Sequence, residues 1–216
     1  MSKLAIALLL INISVIIVLT AIVIKLDKAR NEIKIIERIV EVPSEFVYYY
    51  NIGLNEEVQK IIEGGGTQDI LDFFNCYTNN TLVSTAILEE SLSQQIPITS
   101  AFALAWGESR FRTQLVNKNG RHSSDWGLFQ LNDGHRSWTR EEYFDIRKNT
   151  KEGLNYFSYS LRTFDNDLAL AIAGYNKGVE NVKRGSPISY LTLSHINNII
   201  EYDRMLEINL NKFISR

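Results

Sequence analysis

Two carboxyl side chains in contrasting sequence surroundings are the residues of this chain best suited to chemistry. Glu108 ends an apolar helical pattern, whereas Asp125 lies in a polar segment with loose strand-like alternation. Burial among apolar groups raises the pKa of a carboxyl group, as a general acid working near neutral pH requires, while a solvated carboxyl group stays ionised. Such a pair suggests acid/base catalysis on a glycosidic bond.

The helix that must position Glu108 follows from hydrophobic periodicity. Residues 96–98 interrupt two helical patterns, and Thr99 or Ser100 can cap the second because their hydroxyls accept from free backbone N–H groups. The apolar face of this second helix includes Ala101 and either Leu104 or Ala105. Glu108 is the next residue on that face. The same spacing also suits a polar residue at a solvent-exposed helix end, so the pattern alone leaves both interpretations open.

Polar side chains near Asp125 and farther along the chain are candidates for binding sugar. Residues 125–132 predict a small β excursion, in which Gln130 and Asn132 supply amides of the kind that hold sugar hydroxyls. Tyr175 ends the apolar face of a helix that starts near Asp167, and its hydroxyl is suited to orienting a catalytic acid. Taken singly, each is more typical of a turn, surface or core-rim residue than of a ligand.

Two further helices complete the predicted fold. Asn149 and Thr150 are predicted to cap a helix that reaches about Phe164, and residues 189–213 predict a long amphipathic helix that closes the domain.

Length, charge and cysteine content limit the class of protein. A chain of 216 residues is enough for one sizeable core with extensions. The 23 basic and 25 acidic residues give a net charge of −2, which predicts no nucleic-acid partner. Cys76 is the only cysteine, which excludes an internal disulfide and a cysteine metal cluster.

The amino-terminal region predicts a membrane anchor. Residues 4–24 contain no charged side chain and are long enough to span a lipid bilayer as an uncleaved, single-pass helix. The basic residues that follow, Lys25, Lys28 and Arg30 among them, would keep the rest of the chain in the cytoplasm by the positive-inside rule. The proposed chemistry needs the rest of the chain to lie outside the cytoplasm. Long domains are translocated largely regardless of flanking charge.

The chain divides into four predicted regions. Residues 1–24 form the anchor, and residues 25–45 a juxtamembrane helix or spacer whose short heptad-like pattern also allows self-association or contact with an envelope machine. Residues 46–80 predict an accessory helical segment, and residues 81–216 the catalytic domain.

Three segments resemble the signature segments of the soluble-lytic-transglycosylase (SLT) domain, in the same order. They are residues 98–112 with Glu-Ser-x-Phe, residues 127–130 with Gly-Leu-Phe-Gln, and residues 173–178 with Ala-Gly-Tyr-Asn-Lys-Gly. Gly174 replaces the usual alanine, a change that we interpret as the harmless loss of a methyl group. Ser124 and Asp125 replace the usual Gly-Ala and are similar instead to animal-type lysozymes and to the transglycosylases of bacterial secretion systems.

The resemblance implies a mainly α, lysozyme-like fold with a small β excursion, acting on peptidoglycan glycan strands at the β-1,4 bond between N-acetylmuramic acid and N-acetylglucosamine. Glu108 would be the single acid/base, forming a 1,6-anhydro ring. Ser109 and Gln130 would line the sugar site, Tyr175 would hydrogen-bond near Glu108, and Asn176 would support the local geometry. No metal or organic cofactor is implied, and the domain would lie in the periplasm or cell-wall space, attached to the inner membrane.

Two alternatives remain open at this stage. Asp125 as a second catalytic carboxylate would make the protein a lysozyme-type hydrolase, with water as the acceptor. Loss of activity would leave a membrane-tethered protein that only binds peptidoglycan.

Overall fold

The computed structural model describes residues 53–119 and 123–215. It confirms a mainly helical fold with a small antiparallel sheet. The predicted anchor at residues 4–24 and the juxtamembrane helix at residues 25–45 lie outside the described residues. Within the described ranges, no helix combines the length and apolarity needed to cross a membrane. Residues 48–186 and 191–216 form the larger of two compact units of the chain.

Among the described residues, four helices precede the sheet. They are α1 (Gly53–Glu63), α2 (Thr67–Thr78), α3 (Thr81–Ser93) and α4 (Ile98–Ser109). The strands β1 (Val116–Asn119), β2 (Ser123–Trp126) and β3 (Leu131–Asn132) form an antiparallel sheet in the order β1-β2-β3, followed by a 3₁₀ turn at Asp133–His135. The remaining helices are α5 (Arg140–Phe144), α6 (Ile146–Thr163), α7 (Leu168–Lys177), α8 (Val179–Lys183) and α9 (Tyr190–Ile214).

Side-chain caps explain several of the helix starts. Asn80 accepts from the backbone N–H groups of Leu82 and Val83 at the start of α3. Asp167 does the same for α7 through Leu170 N, at 2.9 Å. The predicted cap of α6 at Asn149 and Thr150 is wrong, because Asp145 accepts from Lys148 N and starts the helix one turn earlier.

The start of α4 also differs from the prediction. The helix begins at Ile98, directly after Pro97, so that Thr99 and Ser100 lie inside it and not at its cap. The buried Asn55 of α1 supplies the cap instead: its Oδ1 accepts from Ile98 N at 3.0 Å, and its Nδ2 donates to the Ile96 carbonyl at 2.7 Å. A residue of the accessory segment therefore fixes the break that precedes the catalytic helix.

Helix α4 lies at the centre of the core. Every residue from 98 to 105 is buried, because the helix carries only apolar, hydroxyl and small side chains and can be covered on all sides. Phe102 stacks on Phe74 of α2 with ring centroids 3.9 Å apart and an interplanar angle of 6°. The central helix therefore has little freedom to move.

Helix α9 contacts the beginning of α4 through a buried carboxyl group. Asp203 is 2% exposed and hydrogen-bonds to the side chains of Thr99 and Ser100. Burial raises the pKa of Asp203 to about 7, against the lowering effect of those hydrogen bonds. One of its oxygens, Oδ1, has no hydrogen-bond partner among the described residues.

The titration of Asp203 predicts a stability that falls as the pH rises. The pKa of this carboxyl is about 7 in the folded chain and about 3.8 in the unfolded chain, so the unfolded state loses its proton first as the pH rises through this window. Asp203→Asn removes the titration. Between about pH 4 and pH 8, we therefore expect the free energy of unfolding of this variant to fall by roughly 2–4 kcal/mol less than that of the wild type. Urea unfolding at several pH values measures this change in the free energy of unfolding.

Glu201→Gln, an exposed change on the same helix, is the control and should leave the pH dependence unchanged. Parallel curves for the wild type and Asp203→Asn would contradict the prediction, whatever their offset.

Candidate active site

A cleft of about 720 Å³ brings together residues from the end of α4, the sheet, and helices α6, α7 and α8. A pocket of this size is suited to a small ligand or a short stretch of a polymer. Six of the seven predicted site residues line it: Glu108, Asp125, Gln130, Asn132, Tyr175 and Asn176. The seventh, Ser109, does not.

Glu108 lies on the last turn of α4, with its side chain 11% exposed. Burial raises the pKa of Glu108, the hydrogen bond and charge of His195 lower it, and the charge of Asp125 raises it. Because burial is the largest of these effects, the net shift is upward. Glu108 is therefore suited to carrying a proton at a pH where an exposed glutamate has lost it.

His195 of α9 is a neighbour of Glu108 that the sequence analysis missed. Its Nε2 lies 3.2 Å from Glu108 Oε1. The helices can approach because residue 107 is glycine: a Cβ there would lie 2.3 Å from Ile199 Cγ1. The pair is separated by 87 positions in the chain, and no local pattern around a single histidine reveals such a contact.

Asp125 lies on the central strand β2, opposite Asn117 of β1 and Asn132 of β3. Its two oxygens accept from Asn119 Nδ2 at 2.5 Å and from Asn132 Nδ2 at 2.8 Å. Two neutral amides thus orient this carboxylate without neutralising its charge. The structure places it in the same cleft as Glu108.

Gln130 and Asn132 have structural roles in the wall of the cleft. Gln130 Nε2 donates to the carbonyls of Gly127 and Leu115 at 2.7 and 3.2 Å, and its Oε1 accepts from Asn117 at 2.8 Å. Asn132 Oδ1 accepts from Gly134 N at 2.9 Å, while its Nδ2 holds Asp125. Their amides are engaged within the protein while both residues line the cleft, so the expectation that they hold sugar hydroxyls stays a prediction.

Ser109 faces the core. It is fully buried, and its hydroxyl donates to the Ala105 carbonyl at 3.2 Å. Adjacent helical residues are rotated by about 100° from each other, so the residue after Glu108 leaves the cleft side of α4. The expectation that Ser109 lines the sugar site is therefore corrected.

Tyr175 and Asn176 end helix α7 at the cleft. The Tyr175 hydroxyl donates to the Phe129 carbonyl at 2.7 Å, so its proton is directed to the wall and not to Glu108. Burial, and then the charge of Glu108, raise the pKa of Tyr175 well above its ordinary value. Asn176 is exposed, and its Oδ1 lies 3.5 Å from the hydroxyl of Thr192.

Comparison with known proteins assigns this helical domain to a family. Residues 85–190 match the family model of the transglycosylase SLT domain. This part of the chain is an SLT domain. Its boundaries contain Glu108, Asp125 and Tyr175, although His195 lies just beyond them.

Two solved structures are similar to the chain. One is an inactive mutant of the lytic transglycosylase Slt from Pseudomonas aeruginosa, with a TM-score of 0.50 and 18% identity over 59% of this chain and 24% of that one. The other is the 70 kDa soluble lytic transglycosylase from Escherichia coli, with a TM-score of 0.46 and 20% identity over 63% and 24%. The chain thus spans about a quarter of each. The search of curated proteins found no match.

The Gly-Leu-Phe-Gln turn of the SLT domain is held by a buried amide. Gly127 has a φ of +77°, and a Cβ there would lie 2.4 Å from Asn149 Nδ2. Asn149 accepts from Phe129 N at 2.8 Å and donates to the carbonyls of Trp126 and Tyr143. Sequence analysis assigned Asn149 only to a helix cap, because its partners lie up to 23 positions away.

The glycine that distinguishes the third SLT segment has a packing role. A Cβ at Gly174 would lie 2.4 Å from Ser160 Oγ and 2.7 Å from Phe164 Cε2. The interpretation that the missing methyl group is merely harmless is incomplete, since Ser160 and Phe164 occupy its space in this chain. Helices α6 and α7 therefore pack more closely than an alanine would allow.

Charged residues that the sequence analysis did not select also line the cleft of the SLT domain. They are His135, Arg136, Glu152 and Lys177. Side chains of both charge types suit a ligand with charged as well as neutral groups. Within the described ranges, no group of three or more histidine, cysteine or acidic residues has the arrangement of a metal site.

Proposed function

We propose that the protein is a membrane-anchored peptidoglycan lytic transglycosylase. It cleaves the β-1,4 bond between N-acetylmuramic acid and N-acetylglucosamine and leaves a 1,6-anhydro end on the muramic sugar. The observation that carries the proposal is the burial of Glu108 at the wall of a polar cleft inside an SLT domain. A buried acid with a raised pKa is what protonation of a glycosidic oxygen requires.

Glu108 serves as both acid and base in the proposed reaction. Protonated Glu108 gives its proton to the bridging oxygen, and the bond from that oxygen to carbon 1 of the muramic sugar breaks. The carboxylate of Glu108 then takes the proton of the carbon-6 hydroxyl while that oxygen bonds to carbon 1. The proton of Glu108 is thereby restored, no water is consumed, and no cofactor takes part.

Asp125 stabilises positive charge in this proposal. Bond breaking leaves oxocarbenium-like charge on the sugar ring, and a carboxylate in the same cleft lowers the energy of that charge. Asn119 and Asn132 keep the Asp125 oxygens in place. Tyr175 fixes the wall through Phe129, and the exposed Asn176 offers an amide to the sugar.

A lysozyme-type hydrolase is the second candidate function. Asp125 favours it, because a second carboxylate in the cleft with Glu108 is able to act as a nucleophile or to stabilise the intermediate until water attacks. The two reactions differ in the oxygen that attacks carbon 1 of the muramic sugar, which comes from water in the hydrolase and from the carbon-6 hydroxyl in the transglycosylase. The third candidate, an inactive peptidoglycan-binding protein, has less support, since binding alone gives no reason to bury an acid in the cleft.

The membrane anchor and its orientation belong to the same proposal. Residues 4–24 anchor the chain in the inner membrane, and the SLT domain lies in the periplasm or cell-wall space, where peptidoglycan is found. Residues 25–45 separate the two and are the candidate segment for self-association.

Substitution of Glu108 tests the acid assignment. Glu108→Gln keeps the shape of the side chain but cannot donate an acidic proton, so we expect turnover to fall by at least about 100-fold while glycan binding persists. The full-length chain in detergent is incubated with purified peptidoglycan, and the released fragments are analysed by mass spectrometry. Fragments lighter by one water than reducing muropeptides identify transglycosylation.

Glu57→Gln is the matched control, because Glu57 is exposed on α1 and does not line the cleft. Wild-type turnover by Glu108→Gln would refute the acid assignment. Binding without fragments by the wild type would support the inactive alternative.

Substitution of Asp125 separates the two enzymatic candidates. Under the proposal, Asp125→Asn loses only charge stabilisation, so we expect a rate reduced by less than about 100-fold and unchanged anhydro products. The same digestion measures both quantities. Reducing ends from the wild type, with activity abolished in Asp125→Asn, would favour the hydrolase.

Protease access tests the orientation of the membrane anchor. Protease is added to cells whose outer layers have been opened but whose inner membrane is intact. We expect the SLT domain to be degraded, because it lies outside that membrane, while a cytoplasmic control protein survives. Protection of the SLT domain would place it in the cytoplasm and contradict the proposal.

A further inference from the structure

We propose that His195 is a positioning residue of this active site. Its imidazole holds one oxygen of Glu108 and directs the other oxygen to the substrate in both steps of the reaction. The inference rests on the proposed function, because it assigns a role around Glu108 as the acid/base. It adds a residue from outside the range matched by the SLT family model.

The contact between His195 and Glu108 is specific. Among the described residues, His195 is the one side chain that hydrogen-bonds to the Glu108 carboxyl, and the bond uses Oε1. The two side chains are 25% and 11% exposed, so solvent competes little for this contact. With Oε1 engaged, Oε2 is the oxygen left for the sugar.

Backbone packing, and not a chance side-chain conformation, brings His195 to this position. Helix α9 lies against the end of α4 where Gly107 has no side chain, and a Cβ on that glycine would collide with Ile199 and approach His195 Cε1 to 3.6 Å. Trp106, the residue before Gly107 on α4, and Tyr202, about one turn after Ile199 on α9, stack with ring centroids 4.1 Å apart at 8°. This stack keeps the two helices in register.

The opposite end of α4 is also tied to α9. Asp203 of α9 hydrogen-bonds to Thr99 and Ser100 in the first turn of α4. The long helix α9 is thus held against both ends of the helix that carries the acid. The backbone position of His195 is thereby fixed, as a positioning residue requires.

An imidazole matches the chemistry of a group that changes between acid and base. A neutral imidazole has one nitrogen that donates a hydrogen bond and one that accepts. With its hydrogen on Nε2, the imidazole donates to Oε1 both when the proton of Glu108 lies on Oε2 and when Glu108 is a carboxylate. Glu108 loses a proton in the first step and regains one in the second, so His195 needs no net proton change.

The charges that face Glu108 give the proposal a second, independent readout. Asp125 approaches it from β2, Tyr175 from α7 and His195 from α9. Burial and Asp125 raise the pKa of Glu108, while His195 lowers it. Removal of the imidazole therefore raises the pKa of Glu108 further and moves the alkaline limit of activity to higher pH.

Three variants of the full-length chain test the role of His195 on purified peptidoglycan between pH 5 and pH 9. His195→Ala removes the contact, His195→Asn is polar but too short to reach Oε1, and His195→Gln can still reach it with a neutral amide. We expect kcat to fall about 10- to 100-fold in the first two, with KM changed less than about threefold, and to recover largely in His195→Gln. The alkaline limb should move to higher pH in His195→Ala and His195→Asn.

Asn197→Ala, an exposed change on α9, is the control for effects on the helix itself. Thermal unfolding identifies any variant that does not fold, in which case the comparison of His195→Asn with His195→Gln decides. Wild-type kcat and an unmoved pH profile in folded His195→Ala or His195→Asn would overturn the proposal. Equal losses of kcat in His195→Asn and His195→Gln would also overturn the proposal.

The outcome is separable from that of the proposed function. An inactive wild type refutes the transglycosylase assignment and, with it, any role of His195 in that reaction. An active wild type, an inactive Glu108→Gln and unaffected His195 variants retain the enzyme and reject the positioning role alone.

Discussion

The close contact of α4 and α9 at Gly107 is the constraint on which the active site depends. Because residue 107 has no Cβ, Ile199 enters the space beside the last turn of α4. That approach covers Glu108 and brings His195 within 3.2 Å of its carboxyl. Burial raises the pKa of Glu108 and the histidine opposes it. A single small residue next to the acid thus controls both the dielectric surroundings and the hydrogen-bond partner of that acid.

The opposite wall of the cleft depends on a second small residue and a buried amide. Gly127 allows the chain to turn directly onto Asn149, whose side chain satisfies three backbone groups around the turn. The Phe129 carbonyl is then free to accept from Tyr175. Two of the family's signature segments are therefore joined by one hydrogen bond, although they lie 46 positions apart. These polar groups of the wall are therefore paired within the protein.

Local patterns in the sequence predicted most of the elements and the place of Glu108 at the end of an apolar helix face, but not the direction of every side chain. The apolar face that ends at Glu108 was visible because helical periodicity determines which residues share a side. The same periodicity should have removed Ser109, which lies one residue farther around the helix and is buried. The amides of Gln130 and Asn132 were recognised as polar residues near the cleft, but their partners depend on strand pairing that the sequence did not specify.

Contacts between distant segments were outside the reach of sequence reasoning. His195, Asn149 and Asn55 each act on residues at least 20 positions away, and nothing in their immediate neighbours distinguishes them from ordinary helix residues. The signal that was available is indirect: glycines inside apolar helices, such as Gly107 and Gly174, mark positions where another element approaches closely. That signal indicates that a contact exists but does not identify the partner.

The two carboxyl groups of the cleft are coupled through charge. This coupling bears on both candidate reactions, transglycosylation and hydrolysis. Two amides orient Asp125, and its negative charge raises the pKa of Glu108 across the cleft. The same charge that helps Glu108 to keep its proton is available to stabilise a positive sugar ring. Under the proposed function, Asp125 would support bond breaking whether the carbon-6 hydroxyl or a water molecule attacks afterwards. The choice between them rests on which oxygen the walls allow to reach carbon 1.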